Sequence, residues 1–447
     1  MRSYLHPPGT EASPVELTEI SSHGRLEVMP LQLKHRALYA AFDRFPSQKG
    51  AASHIYRMSQ TLFDLMQGGL LYVLGDEELP VYQKEESIEI LRYSRPVTNF
   101  LERTWRYGRR LSALLEQQSD SLRICHFRDP WSGVPILTHK GRKYVTVYEV
   151  NGLPSIELPY SYPKAAPSQL ARIRDAERFC WSEADMVITP SRTIKENLVR
   201  LGAAAGKITV IPNGADIAPA SIRPPDAPSR YIIYFGALQR WQGVDILLRA
   251  FARLADLDDL RLVICSSTHP RTAKAYRKLA EKLGVAERTS WFFRMSEREL
   301  APWRAHALLS VAPLTECSRN LDQGCCPLKI LESMASGVPV VASDLASVRE
   351  IITDRIEGRL VRPDRPAELA RVIRIVLEYP DHLQVMGEKA RRRIEHGFTW
   401  TDCTARLTAF YRSGCSAVSS PFEDDTVETS LSGSQVSGEP ERKEQSL

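Results

Sequence analysis

The segment Gly324-Cys-Cys-Pro-Leu-Lys-Ile-Leu-Glu332-Ser-Met-Ala-Ser-Gly337, continuing into Val338-Pro-Val-Val-Ala-Ser-Asp344, carries residues suited to holding an anion. Pro327 suits the first turn of a helix, Gly337 its C-terminal exit, and Val338 to Ala342 a buried strand beyond it. Within that helix Lys329 and Glu332 stand three positions apart, so they project from neighbouring points on one face. Free N–H groups and the dipole at the amino end favour a diphosphate, and the Lys329 ammonium adds positive charge. The Glu332 carboxylate can accept hydrogen bonds from a ribose. A surface lysine and glutamate pair has the same spacing, so these two residues alone do not define a site.

Further candidates lie in the first half of the chain. Cys125-His-Phe-Arg-Asp-Pro-Trp-Ser-Gly133 follows a predicted strand, Leu122 to His126, and so sits at the carboxyl edge of a sheet, where open α/β folds bind ligands. On their own, His126 reads as a satisfied core histidine and Asp129 as a turn cap. Glu149-Val-Asn-Gly-Leu-Pro-Ser-Ile-Glu157 follows another buried strand, which turns Glu149 and Asn151 toward a cleft. Arg36 to Phe42, a phosphate-sized loop containing Lys49 and Gly50, and His54 to Met66 read as strand, loop and helix. Arg103, Arg106, Arg109 and Arg110 are interleaved with Trp105 and Tyr107 in one helical stretch, a solvated face or a grip for anionic lipid. Cys317, Cys325 and Cys326 lack a fourth ligand for zinc.

The elements that must position these residues alternate between strand and helix, which implies parallel sheets covered on both faces. A chain of 447 residues exceeds one core. We divide it into an N-terminal extension (1–30), a Rossmann-like domain (31–217), a Pro, Ala and Ser-rich linker (218–230), a second Rossmann-like domain (231–396), a final helix (397–412) and a disordered tail (413–447). A net charge of +5 spread over this length is too weak a field to argue for nucleic acid. No apolar run approaches the roughly 18 residues of a membrane span, and the amino terminus lacks a secretory h-region. Scattered thiols fit a reducing cytosol. No GxGxxG follows a predicted strand, which weighs against a dinucleotide oxidoreductase.

The Lys329 and Glu332 segment resembles the signature of the family 4 retaining glycosyltransferases, also called glycosyl transferases group 1. The similarity continues through Glu183-Ala-Asp-Met-Val-Ile-Thr-Pro-Ser191, Ile211-Pro-Asn-Gly-Ala-Asp216, Tyr234-Phe-Gly-Ala-Leu-Gln-Arg-Trp-Gln-Gly243 and Phe398-Thr-Trp400. It implies a GT-B fold, with two Rossmann-like domains facing one another across a cleft. It also implies transfer of a sugar from a nucleoside diphosphate to a hydroxyl acceptor with anomeric retention, in polysaccharide or glycolipid synthesis, with no metal required. The resemblance places His126, Arg128, Asp129 and Lys329 in catalysis. Donor contacts fall to Gly50, Gly236, Arg240, Gly324, Cys326, Leu328, Lys329 and Glu332, and acceptor contacts to Lys49, Glu149 and Asn151. The acceptor is a saccharide, a lipid-linked or a small-molecule hydroxyl, and the implied location is cytoplasmic, with peripheral contact at the inner membrane face as a further option.

Four positions depart from the family pattern. Gly324 stands where the first of two carboxylates is usual, leaving Glu316 or Asp322 as substitutes. Ala237 and Gln242 replace the usual Arg and Lys for the phosphates, which leaves Arg240 and Lys329 as the assigned cations. Arg128 replaces the histidine usually set against the reacting sugar. These departures keep a catalytically silent sugar-nucleotide-binding subunit open as an alternative, and a GT-B epimerase behind it.

Overall fold

The computed structural model describes residues 34–47 and 50–416; Lys49, the N-terminal extension and the tail beyond 416 lie outside the described residues. The first sheet contains β1 (Ala37–Arg44), β2 (Gly69–Leu74), β3 (Tyr82–Glu85), β4 (Ile88–Tyr93), β5 (Ile124–Phe127), β6 (Val145–Glu149), β7 (Met186–Thr189) and β8 (Ile208–Val210). The second contains β9 (Arg230–Gly236), β10 (Leu260–Ser266), β11 (Thr289–Phe293), β12 (Leu309–Ala312), β13 (Val340–Ser343) and β14 (Gly358–Val361).

The strand orders are β3-β4-β2-β1-β5-β6-β7-β8 and β11-β10-β9-β12-β13-β14. Every pairing is parallel except that of the edge strand β3 with β4. The second sheet has the doubly wound order in which the chain starts centrally and reverses direction, and the first repeats it with additions at both edges. Each sheet therefore has a switch point, between β1 and β5 in one and between β9 and β12 in the other. There the loops at the carboxyl ends diverge and leave a crevice.

Helices cover both faces, so the central strands are largely apolar; β1 buries Ala37, Leu38, Tyr39, Ala40 and Ala41. The helices of the first domain are α1 (Gly50–Met66), α2 (Phe100–Gln118), α3 (Pro130–Thr138), α4 (Pro154–Ser161), α5 (Pro167–Glu183) and α6 (Arg192–Arg200). Proline opens α3, α4 and α5, where its missing N–H costs no hydrogen bond. The second domain adds α7 (Val244–Phe251), α8 (Lys274–Lys282), α9 (Glu297–Ala305), α10 (Leu328–Ala335), α11 (Ala346–Arg349), α12 (Pro366–Leu377) and α13 (Pro380–Glu395). The last helix, α14 (Trp400–Ser416), returns to the first domain, where Leu407, Phe410 and Tyr411 join the core built on Tyr39 and Ile55.

Polar contacts hold the domains face to face. The Glu350 carboxylate accepts hydrogen bonds from Arg192 N (2.8 Å) and Thr193 N (2.8 Å), capping α6 from the other domain. Asn197 Nδ2 donates to the carbonyls of Leu321 (3.0 Å) and Gln323 (3.1 Å). Buried Gln323 accepts from Leu153 N (2.8 Å) and donates to Glu157 (2.8 Å).

Candidate functional site

The carboxyl edges of the two sheets enclose a cleft of about 1300 Å³ lined from both domains. On the side of the second domain, Lys329 and Glu332 project into it from the first turns of α10. The Lys329 ammonium lies 4.0 Å from the centre of the Tyr234 ring and donates to Gln242 Oε1 (2.6 Å). Gly236, the last residue of β9, makes this approach possible. Its φ is +122°, and a Cβ there would stand 3.2 Å from the Lys329 nitrogen. Burial pulls the Lys329 pKa down to about 7, against the pull of Glu332 in the opposite direction. Burial likewise pushes Glu332 up to about 7, although 29% of its side chain is open to the cleft. Behind Glu332, Arg304 lies 4.0 Å away and is itself clamped by Glu297 at 2.6 Å.

These shifts predict a proton-linked event. A diphosphate placed beside Lys329 favours the ammonium and disfavours a second carboxylate charge at Glu332, so both pKa values rise on binding. Nucleoside diphosphate binding at pH 8 is expected to take up protons, and the uptake should fall away near pH 6 and be reduced in Lys329→Met, where only Glu332 contributes. Calorimetric titrations in buffers of different ionisation enthalpy measure it; unchanged protonation at pH 8 contradicts it.

The opposite wall is built on a buried carboxylate. Glu149, at the end of β6, is 1% exposed. One oxygen lies 2.7 Å from His54 Nε2 and 3.1 Å from Arg128 Nε, and also accepts from Asn151 Nδ2. The other lies 2.9 Å from His126 Nε2 and accepts from the Tyr39 hydroxyl at 2.7 Å. Burial raises the Glu149 pKa, but His54, Arg128 and His126 outweigh it and hold the carboxyl well below its usual range. Burial works against the Arg128 charge, and Glu149 more than restores it. Arg128 and Asn151 reach the cleft; Glu149 lies beneath them and does not. His126, placed in catalysis from the sequence, is fully buried and also absent from the cleft wall, with Nε2 on Glu149 and Nδ1 2.7 Å from the Tyr411 hydroxyl of α14. Asp129 does line the cleft, and it caps α3, accepting from Ser132 N (2.8 Å) and Phe42 N (2.6 Å). Burial nevertheless pushes its carboxyl up to about 6.

Of the assigned donor contacts, Gly50, Gly236, Cys326, Leu328, Lys329 and Glu332 line the cleft together. Arg240 does not: it is exposed on the short turn Arg240–Gln242, whose other two residues, Trp241 and Gln242, face inward. Gly324 also turns away. Its φ of +91° and ψ of −177° belong to glycine, and a Cβ would meet Thr193 Cγ2 at 3.0 Å and Ile194 Cγ1 at 3.2 Å on α6. No carboxylate at 324 can reach the cleft with this backbone. Glu316 and Asp322 do not replace it, since both are exposed outside the cleft wall. Gly324→Asp is therefore expected to destabilise the protein by about 1–3 kcal/mol without raising activity, as thermal unfolding and turnover assays can show.

Sequence reasoning missed three cleft residues. Arg319 stands on a wide helical turn, Arg319–Gln323, paired with Glu157 at 3.2 Å and packed over Trp241. Glu157 comes from α4 of the first domain, so this pair spans the cleft floor. His54 follows Gly50 by one helical turn, a spacing that only the fold makes meaningful. Among the described residues no three His, Cys, Asp or Glu side chains group as metal ligands, and no helix is long and apolar enough to cross a membrane.

Two Rossmann-like domains joined by a cleft, with the last helix crossing back, define the GT-B class. The family profile of the glycosyl transferases group 1 matches residues 221–393, and that of glycosyltransferase family 4 matches residues 49–218. The chain belongs to this family. It is 31% identical over 276 residues to D-inositol 3-phosphate glycosyltransferase 1 of Catenulispora acidiphila, covering 57% of this chain and 63% of that protein. With the MMP α-(1→4)-mannosyltransferase of Mycolicibacterium hassiacum it shares 29% identity over 235 residues, covering 52% and 55%. The matches thus span less than two thirds of these relatives. Among solved structures, sucrose-phosphate synthase of Thermosynechococcus elongatus superposes with a TM-score of 0.70 at 17% identity, over 86% of this chain and 100% of that one. Anabaena HepE, solved with UDP and glucose, gives 0.66 at 18% identity, over 85% and 100%.

Proposed function

We propose that the protein transfers a sugar from a nucleoside diphosphate to a hydroxyl acceptor, with anomeric retention, in glycoconjugate synthesis. The observation that carries this reading is the Lys329 ammonium at the amino end of α10, held against the Gly236 loop and facing Arg128 and Asn151 in the same cleft. A diphosphate seated there meets the ammonium and the free amides of α10, which stabilise the charge that develops as the sugar leaves. Glu332, one turn along, is placed to accept from a ribose. The names of the relatives, an inositol phosphate glycosyltransferase and a mannosyltransferase, and of a structural neighbour solved with UDP, support the same donor class. No metal enters this scheme.

Domain closure through Glu157, Arg319 and Gln323 excludes water and limits donor hydrolysis. Peripheral contact with an anionic membrane belongs to the same proposal: Leu101, Trp105, Arg106 and Arg109 are exposed on α2, whereas Tyr107 lies in the core. The test is release of nucleoside diphosphate from a panel of sugar nucleotides with and without saccharide and lipid-linked acceptors, followed by NMR of the product's anomeric carbon. Acceptor-dependent release with retained configuration is the expected result. Gln242 and Ala237, in place of two phosphate-binding cations, favour the silent binding subunit as the second reading. Tight donor binding with no release in any mixture establishes it.

A further inference from the structure

Helix α4 is a partition between two cavities. Pro154, Glu157, Leu158 and Ser161 line the cleft, whereas Ser155, Ile156, Pro159 and Tyr160, on the opposite face of the helix, line a second cavity of about 590 Å³ behind it. With open space on both sides, no residue of α4 is fully buried. The rear cavity lies on the seam between the domains. One face of α5, with Arg174, Arg178 and Trp181, and the end of α6, with Arg200 and Leu201, close it from the first domain, and Asp322 reaches it from the second. Its volume suits a small organic molecule.

The wall has two kinds of surface. Leu153, Ile156, Pro159 and Trp181 make part of it apolar, while Arg174, Arg178 and Arg200 bring three exposed guanidinium groups. Among the described residues none of the three forms an ion pair. Arg200 donates to the Asn197 side-chain oxygen, and Arg174 and Arg178 have no hydrogen-bond partner. Two carboxylates also line the cavity and leave this charge in place. Both oxygens of Glu177 are bonded to Ser155, to its N at 2.8 Å and its Oγ at 2.7 Å, and Arg174 acts on Glu177 only at longer range. Asp322 is exposed and pairs with no arginine. A planar guanidinium matches the oxygens of a phosphate in a two-point contact, and the apolar surface matches a hydrocarbon body.

We propose that the rear cavity binds a small soluble organic phosphate with an apolar body, and that α4 carries its occupancy to the cleft. Tyr160, on the rear side, meets Trp241 of the cleft wall edge-on at 5.1 Å, and Glu157, on the cleft side, holds Arg319 at 3.2 Å. A ligand packed against the rear face therefore bears on contacts through which α4 meets the second domain. The site is separate from the Lys329 region, so it stands or falls independently of the transferase reading.

The probe is 1-naphthyl phosphate, titrated calorimetrically into the full chain, with inorganic phosphate and 1-naphthol as its two halves. The intact probe should bind about tenfold or more tightly than either half. The double variant Arg174→Gln/Arg178→Gln should weaken it by about tenfold or more, with Tm within about 2 °C of wild type because neither side chain has a partner to lose. Lys329→Ala should leave probe affinity within about twofold. In NMR spectra of the indole N–H groups, assigned with Trp181→Phe and Trp241→Phe, the probe should shift both the rear-cavity Trp181 and the cleft Trp241. Absence of binding, affinity no better than that of one half, or undiminished affinity in the arginine variant overturns the proposal. So does a loss of binding in Lys329→Ala, which places the phosphate in the cleft. A Trp241 resonance unmoved at saturating probe overturns transmission through α4.

Discussion

Replacing Glu149 by alanine is expected to lower the stability of the first domain by about 3–5 kcal/mol, because it strands the buried Arg128 guanidinium and removes the shared partner of His54, His126 and Tyr39. Arg128 has lesser contacts, Asp43 at 3.5 Å and the Ala51 carbonyl at 3.4 Å, which do not replace a carboxylate at 3.1 Å. Glu149→Gln keeps the shape and loses the charge, so it tests electrostatics separately. Because the folded carboxyl titrates below its ordinary value, it contributes stability that is present above roughly pH 4.5 and is lost as pH falls through the folded pKa. The difference between wild type and Glu149→Gln in urea unfolding should therefore be largest near neutrality and shrink toward pH 3. A difference independent of pH contradicts the assignment of charge to this residue.

Lys329→Ala is expected to reduce acceptor-dependent turnover by about 10²- to 10³-fold while leaving Tm within a few degrees. The side chain is half-buried, and its contacts are one hydrogen bond to Gln242 and the face of Tyr234, neither of which the fold requires. Its absence is felt where a diphosphate leaves with its charge. With Arg240 pointing to solvent and Gln242 neutral, no other side chain on α10 or the Gly236 loop supplies that charge. Arg319, across the floor, is engaged by Glu157. A loss of less than tenfold would mean that the leaving group is stabilised elsewhere.

How far the sequence reveals this arrangement depends on the kind of signal involved. In the second domain the sequence offers the apolar runs Tyr231–Phe235, Leu260–Cys265, Thr289–Phe293, Ala307–Val311 and Val338–Ala342, and each lies within about two residues of a strand of the six-stranded sheet. β14 escapes because Gly358-Arg-Leu-Val361 is short and half polar. β3 and β4 escape for a different reason. β4 is buried along its whole length yet contains Glu89 and Arg92, charges that local pattern assigns to a surface. The fold satisfies them at long range, Glu89 with His35 at 3.1 Å and Arg92 with the Phe45 carbonyl at 2.8 Å.

The site divides in the same way. Lys329, Glu332 and Gly236 are legible because their place in the cleft follows from the helix terminus and the strand end that carry them. Arg240, Gly324, Glu149 and His126 are placed at the right loops but at the wrong depth. A motif fixes a position along the chain, whereas the direction of the side chain is fixed by backbone torsion and by neighbours hundreds of residues away. His126 illustrates this, since its Nδ1 is satisfied by Tyr411 from the last helix.

The measurement that tests the central claim most directly is a calorimetric titration of wild type, Lys329→Ala and Glu332→Ala with a panel of nucleoside diphosphates. The account predicts binding of one base class by the wild type, weakened at least tenfold in both variants. Absence of binding, or equal affinity in all three proteins, would place the donor away from Lys329 and contradict it.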